Sequence, residues 1–300
     1  MKVYSFFPIF FLIIYWHYTQ AGRYSDTPVV PINYNLSNPD KIYVLPNALR
    51  EVSGITETDS ISVACIQDEV GILFIYDLKK EEIKRQSSFS FNGDYEGIAR
   101  AGKTIFILRS DGMLFEILNY ESAYSDMKSY ITGVPSKDIE GLCFDQKQNR
   151  LLIAPKSDNM KGKENKGRRF IYSFDLKSKK LAQKPAFVFD LKVIKKFASD
   201  NKIKVPMKSS GKGGKKEPDI EFRPSEIGIN PLTNKLFVLS GMERLLFVFN
   251  MSGKIEYIQK LDPELFVQPE GITFLKNGDM LISNDIKNKK PTILRFNYLR

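Results

Sequence analysis

The stretch GDYEGIA, residues 93–99, sets a glutamate against a glycine and follows the pair with an aliphatic residue, and close variants of it return along the chain. EVSGIT (51–56), DYEGIA (94–99), DIEGLCF (138–144), RPSEIGI (223–229) and QPEGITF (268–274) align on one polar residue each: Ser53, Glu96, Glu140, Ser225 and Glu270. Their separations are 43, 44, 85 and 45 residues. A period in the forties is that of a four-stranded propeller blade.

Each copy continues with the same strand grammar. An apolar residue lies two positions after the polar one (Ile55, Ile98, Leu142, Ile227, Ile272), and three copies have another at plus four (Phe144, Ile229, Phe274), the alternation of a strand with one buried face. Turn residues follow, then a second strand (ISVACI, TIFILR, RLLIAP, KLFVLS, MLISN) and a third (GILFIYDL, GMLFEIL, RFIYSFDL, RLLFVFNM, TILRFNYL). Fourth strands show in some copies, as KIEYIQKL and AFVFDL. The last copy ends after its third strand, whereas KIYVLP (41–46) precedes the first motif without a blade of its own. The amino-terminal strand is therefore expected to complete the last blade and close the ring, which removes both exposed edges. The expected fold is all-β, a five-bladed β-propeller over residues 41–300. Six blades is the alternative, because 85 is nearly twice the period. The additional stretch, LKVIKKFASDNKIKVPMKSSGKGGKK, reads instead as a short helix and a flexible loop.

The 300 residues are 42% hydrophobic and 12% aromatic, enough for a large core and against general disorder. Residues 1–21 differ: Lys2, an apolar run of 14 from Val3 to Trp16, and small residues at Thr19 and Ala21 read as a cleaved signal peptide. The run is short for a bilayer span, which needs roughly 20 residues, so an uncleaved anchor is the lesser reading. Residues 22–40 read as a linker, and the protein as exported, periplasmic or envelope-associated. Cys65 and Cys143 each sit in an apolar alternating run, as small buried hydrophobes rather than a disulfide framework. The net charge of +10 is concentrated in two segments, 156–169 and 191–222, whose lysine, glycine and serine content reads as loops. Neither segment interleaves aromatics, and no nucleic-acid partner is expected.

In a propeller the first strand of each blade lies nearest the axis, so Ser53, Glu96, Glu140, Ser225 and Glu270 are expected to ring the channel. The neighbouring glycines let backbones crowd there; the fourth copy departs, with Glu226 in the glycine's place. Two carboxylates about 5.5 Å apart repel by roughly 3 kcal/mol at an effective dielectric near 20. Protonation, basic side chains or a bound cation would relieve this. The ring donors are all hard oxygens, and the only histidine, His17, lies in the leader, so the donor set favours Ca2+, with Mg2+ second, over zinc or copper. The competing reading is that each ring side chain bonds the next blade and simply pins the structure.

The second strand of each blade returns to the level where the first began. Its polar end residues, Asp68 and Glu69, Arg109 to Asp111, Lys156 to Asp158, Ser240, and Asn284 with Asp285, are expected to surround the ring, together with both basic segments. A central cation with Arg109, Lys156 and Asn284 around it would receive an anionic, phosphate-bearing small molecule. If the site is hydrolytic, the metal would polarise a phosphoryl oxygen or a water, Arg109 and Lys156 would stabilise negative charge, and Asp111 or Asp285 would take a proton. The rival is a non-catalytic module, a monomer with a structural metal whose basic face docks an anionic envelope component. No Ser-His-Asp set and no phosphate-cradling glycine loop is present.

The phrases LPNALREVSGI, VACIQDEVGILFIYDL, GDYEGIA, ILRSDGMLFEI, IEGLCFD, LLIAPKS and QPEGITF together resemble the SdiA-regulated family of bacterial envelope proteins, across residues 41–298. That resemblance implies a propeller without an assigned reaction. The order of ring residues is more loosely similar to the calcium-activated nucleotidases, five-bladed propellers with an axial calcium held by serines and glutamates. This second resemblance implies metal ligation by Ser53, Glu96, Glu140, Ser225 and Glu270, but not nucleotide hydrolysis, since the surrounding sequence diverges.

Overall fold

A computed structural model describes residues 29–122, 125–157, 162, 165–209, 214, 216–286 and 289–300. The segment read as a signal peptide lies outside the described residues. The first strand, β1 (Lys41–Val44), is followed by the first complete blade, β2 (Val52–Glu57), β3 (Ser62–Gln67), β4 (Ile72–Asp77) and β5 (Glu82–Ser88). The second comprises β6 (Tyr95–Ala101), β7 (Thr104–Arg109), β8 (Met113–Leu118) and β9 (Asp126–Ile131). In the third, β10 (Ile139–Asp145), β11 (Arg150–Pro155) and β12 (Arg168–Asp175) carry a divided outer strand, β13 (Lys180–Leu181) and β14 (Phe187–Asp190), both paired with β12. Helix α1 (Leu191–Asp200) and a hairpin, β15 (Met207–Ser209) with β16 (Lys216–Pro218), fill the long interval. The fourth blade is β17 (Glu226–Ile229), β18 (Leu236–Ser240), β19 (Leu245–Phe249) and β20 (Ile255–Lys260); the fifth begins with β21 (Pro269–Phe274), β22 (Met280–Asn284) and β23 (Thr292–Phe296).

Five antiparallel blades make a closed propeller, and β1 is the outer strand of the fifth. It pairs with β23 from Lys41↔Arg295 to Val44↔Thr292, and the ladder extends one bond each way, Asp40 N–H to Arg295 O and Leu45 N–H to Pro291 O, both 2.8 Å. The 85-residue interval is not a sixth blade. Helix α1 is capped by the Asp190 carboxylate, which accepts from Lys192 N–H, and buries Ile194, Phe197 and Ala198 between blades three and four.

The apolar core follows the ring: the described residues form five clusters, each shared by adjacent blades. Val52, Ile55 and Cys65 of blade one pack on Leu281 and Ile293 of blade five, for example. Each blade alternates buried residues on both faces because it is covered on both sides, so its inner three strands read as nearly continuous apolar runs. Cys65 and Cys143 are buried and free, as two small hydrophobes in these interfaces.

Near the axis the glycines admit the neighbouring blade. A Cβ on Gly97 would lie 2.5 Å from Glu140 O in blade three, and one on Gly271 would lie 3.0 Å from Ile55 N in blade one. From Val29 on, the segment read as a linker packs on the propeller. Tyr34 and Leu36 are buried among residues of blades four and five, and the Tyr34 hydroxyl donates to Gly278 O at 2.5 Å.

Candidate functional site

The inner strands carry a common irregularity where the recurring polar residue stands. Register shifts lie between Val52 and Gly54, Tyr95 and Gly97, Ile139 and Gly141, and Pro269 and Ile272. In blade four, Ser225 N–H bonds Leu239 O while Glu226 is the residue paired with Leu239. A bulge places two residues opposite one and re-aims the additional side chain. Here it turns Ser53, Glu96, Glu140, Ser225 and Glu270 out of the ladder at the mouth where the inner strands begin.

The three glutamates interact across the axis. Burial pushes the Glu96 carboxyl up to about 9, with further repulsion from Glu140, Asp94 and Glu270, and its hydrogen bond to the Asp94 carboxyl needs a shared proton. Burial likewise raises Glu140 to about 8, against the Lys156 ammonium that bonds its Oε1. Glu270, which accepts from Gln268 Nε2 at 2.9 Å, is raised by burial to about 7, with repulsion from Asp285 and Asp68. Asp68 is raised by burial to about 6, pressed by Glu51, Glu69, Asp94 and Asp285; its Oδ1 is buried without a hydrogen-bond partner. Asp285 Oδ1 accepts from Glu51 N–H at 3.2 Å. The mouth is thus rich in carboxyls, and Lys156, raised by its bond to Glu140 against the opposing pull of burial, is the cation that reaches them.

The serines behave differently. Ser53 Oγ donates to Tyr95 O of the next blade at 2.6 Å, and Ser225 Oγ lies 3.4 Å from Pro269 O and 3.3 Å from Leu239 O. Each hydroxyl therefore bridges to the residue just before the next blade's ring glutamate. Each oxygen keeps lone-pair capacity, so the bridge and cation ligation are compatible. Among the described residues no three His, Cys, Asp or Glu side chains are drawn closely enough together to hold a metal ion as they stand. The donor chemistry nevertheless fits a hard cation: all oxygens, several buried, with carboxyls short of compensating charge.

The remaining sequence-derived residues divide. Arg109 makes a two-pronged pair with Asp111, Nε to Oδ1 at 3.0 Å and a terminal nitrogen to Oδ2 at 2.8 Å, and lies over the Phe115 ring at 5.9 Å. That pair holds Asp111 below the usual carboxylate range, which makes it a poor proton acceptor. Asn284 is fully buried, its amide nitrogen 3.4 Å from Leu265 O and from Thr292 Oγ1, while its Oδ1 is buried without a hydrogen-bond partner.

Sequence reasoning did not assign Asp94, which is two residues before Glu96, nor the role of Glu226. The latter is 1% exposed and directs its carboxyl into the axis. Its Oε1 accepts from Leu142 N–H at 2.5 Å and Ile227 N–H at 2.9 Å, with Ile98 N–H as a further partner. One carboxyl thereby joins blades two, three and four. Burial drives it well above the ordinary range despite these donors, and Oε2 has no partner. The available signal was the substitution of glutamate for the recurring glycine.

No protein-family model matches the chain, and no curated protein matches it. Among solved structures, the glutaminyl cyclase from Myxococcus xanthus is similar over 87% of this chain and 95% of its own, at 12% identity and a TM-score of 0.56. A streptogramin B lyase is similar over 86% and 97%, at 14% identity and a TM-score of 0.48. At such identities the cyclase likeness establishes the propeller architecture and carries no chemistry to these residues.

Proposed function

We propose that this chain is an exported propeller that binds a hard divalent cation, calcium before magnesium, in the carboxyl-rich mouth, and presents it to an anionic or phosphate-bearing small molecule. The observation that carries the reading is the inward turn of Glu96, Glu140 and Glu270, with Asp68 and Asp285 beside them and Lys156 as the cation that meets them. Glu96, Glu140 and Glu270 would hold the ion, with Ser53 and Ser225 supplying hydroxyl oxygens. A bound cation would supply the charge that the carboxyls lack and an anchor for an anion that the acidic mouth would otherwise repel. Lys156 would then orient the anion, and in a hydrolytic version Asp285, whose charge bears on Glu270 and Asp68, would be the proton acceptor in place of Asp111.

A specific observation favours a non-catalytic version: Arg109 and Asp111 satisfy one another and leave hydrolysis without two of its expected groups. In that version the ion is structural and the basic segments 156–169 and 191–222 dock an anionic envelope component. Metal analysis of the purified protein, followed by a phosphate-ester screen with calcium and then with chelator, separates the versions. Calcium-dependent turnover lost in Glu140→Gln supports catalysis; bound calcium without turnover supports the binding module. Protein that takes up neither calcium nor magnesium at pH 8 refutes both.

A further inference from the structure

The inner strands run on past the acid mouth to the opposite face, where they enclose a second space. A cavity of about 580 Å³ is lined by consecutive residues of all five inner strands, within the range of small-molecule sites. Its inner end is the plus-two ring, Ile55, Ile98, Leu142, Ile227 and Ile272, each no more than 2% exposed. Its wall is the plus-four set. Phe144, Ile229 and Phe274 make an apolar side, and Glu57 and Arg100 occupy the same positions in the other two blades. Glu226 and the plus-two ring lie between this cavity and the acid mouth.

The polar groups of the cavity are unevenly satisfied. Arg100 donates to Glu57 Oε1 at 2.5 Å and through Nε to Glu57 O at 2.7 Å, so that acid is already matched. Asp145 is matched by Arg150 at 2.9 Å. Lys147 and Lys276, on turns of blades three and five, line the same mouth and have no ion-pair partner among the described residues. Thr273 Oγ1 accepts from Glu57 N–H at 3.3 Å, which leaves its hydroxyl hydrogen available. An open cavity with one apolar side and two uncommitted ammonium groups at its rim suits one chemistry.

We propose that this opposite mouth is a binding site for a small molecule with an apolar body and a single anionic group, such as a carboxylate or phosphate. The body lies against Phe144, Ile229 and Phe274, and the anion meets Lys147 and Lys276. The site is independent of the cation at the other mouth, and it is tested in chelator so that failure of one reading leaves the other standing.

The probes are 1-anilinonaphthalene-8-sulfonate, an apolar anion, and N-phenyl-1-naphthylamine, its neutral counterpart. Expected is saturable, one-to-one binding of the anionic probe to the folded protein. The exposed double variant Lys147→Glu/Lys276→Glu weakens it at least about tenfold, because two attractive charges become repulsive ones, while the neutral probe is bound as before. Ile229→Trp, which fills the cavity from a partly exposed wall position, abolishes both. The proposal is overturned if neither probe saturates, if the charge-reversed protein binds the anionic probe like the wild type, or if folded Ile229→Trp binds both unchanged.

Discussion

Replacing Glu226 with alanine removes the acceptor for Leu142 N–H at 2.5 Å and Ile227 N–H at 2.9 Å, in a place only 1% exposed. Buried amides left without a partner cost about 1–3 kcal/mol each, and the vacated side-chain volume adds to that. A loss of about 3–6 kcal/mol follows, which for a domain of this size, at about 2–4 °C per kcal/mol, lowers Tm by about 6–24 °C. Glu226→Gln is the informative contrast. Burial pushes the acid well above its ordinary range, which favours the neutral form, and the amide is the near isostere of that form, with the same carbonyl facing the same donors. Its loss should stay within about 1 kcal/mol. Thermal and urea unfolding of the three proteins at pH 7 measure this. A glutamine variant as damaged as the alanine variant would show that the negative charge itself is required, and an undamaged alanine variant would show that the axial amides do not depend on residue 226.

Three further outcomes follow from the same geometry. Glu270, Glu140, Glu96 and Asp68 have folded values of about 7, 8, 9 and 6, above the ordinary carboxylate range, so the native state holds more protons than the unfolded state between roughly pH 4 and 9. Stability of the chelator-treated protein therefore falls as pH rises through that window, by several kcal/mol, and calcium restores more of it at pH 8 than at pH 5; a flat urea midpoint from pH 5 to 8 would contradict this. Ser53→Ala removes the 2.6 Å bridge to Tyr95 O and should cost about 1 kcal/mol in urea unfolding, whereas Ser225→Ala, whose bonds are 3.3 and 3.4 Å, should cost less. A chain beginning at Asn47 loses β1 and the buried Tyr34, Leu36, Tyr43 and Leu45. At about 1.5–3 kcal/mol per buried side chain this approaches the whole stability of a domain, so cooperative unfolding should vanish from its calorimetric trace.

The blade count and the closure were legible because each blade repeats one demand. A strand at the axis needs a glycine where the next backbone passes, as at Gly97, and an aliphatic residue two places after the polar one, as at Ile98, so the phrase recurs with the blade. The residue at the bulge was legible for the same reason, since its position follows from chain direction. What the repeat could not convey is where side chains point once released. Arg109 turns to Asp111 two residues away, a local pairing that competes with any role at the axis. Asn284 ends its strand buried against Leu265 and Thr292. Glu226 illustrates the limit most clearly: its departure from glycine was visible, but its partners in blades two and three are distant in sequence and joined only by ring closure. The opposite cavity was hidden differently, because its plus-four wall mixes Phe144, Ile229 and Phe274 with a glutamate and an arginine whose pairing depends on the contact between blades one and two.

The most direct test is a crystal grown at pH 8 in calcium and measured for anomalous scattering at the axis. The account predicts one calcium peak within about 2.3–2.6 Å of oxygens from Glu96, Glu140 and Glu270. An axis without such a peak, with those three carboxyls joined to one another and to Lys156 by hydrogen bonds alone, would contradict it.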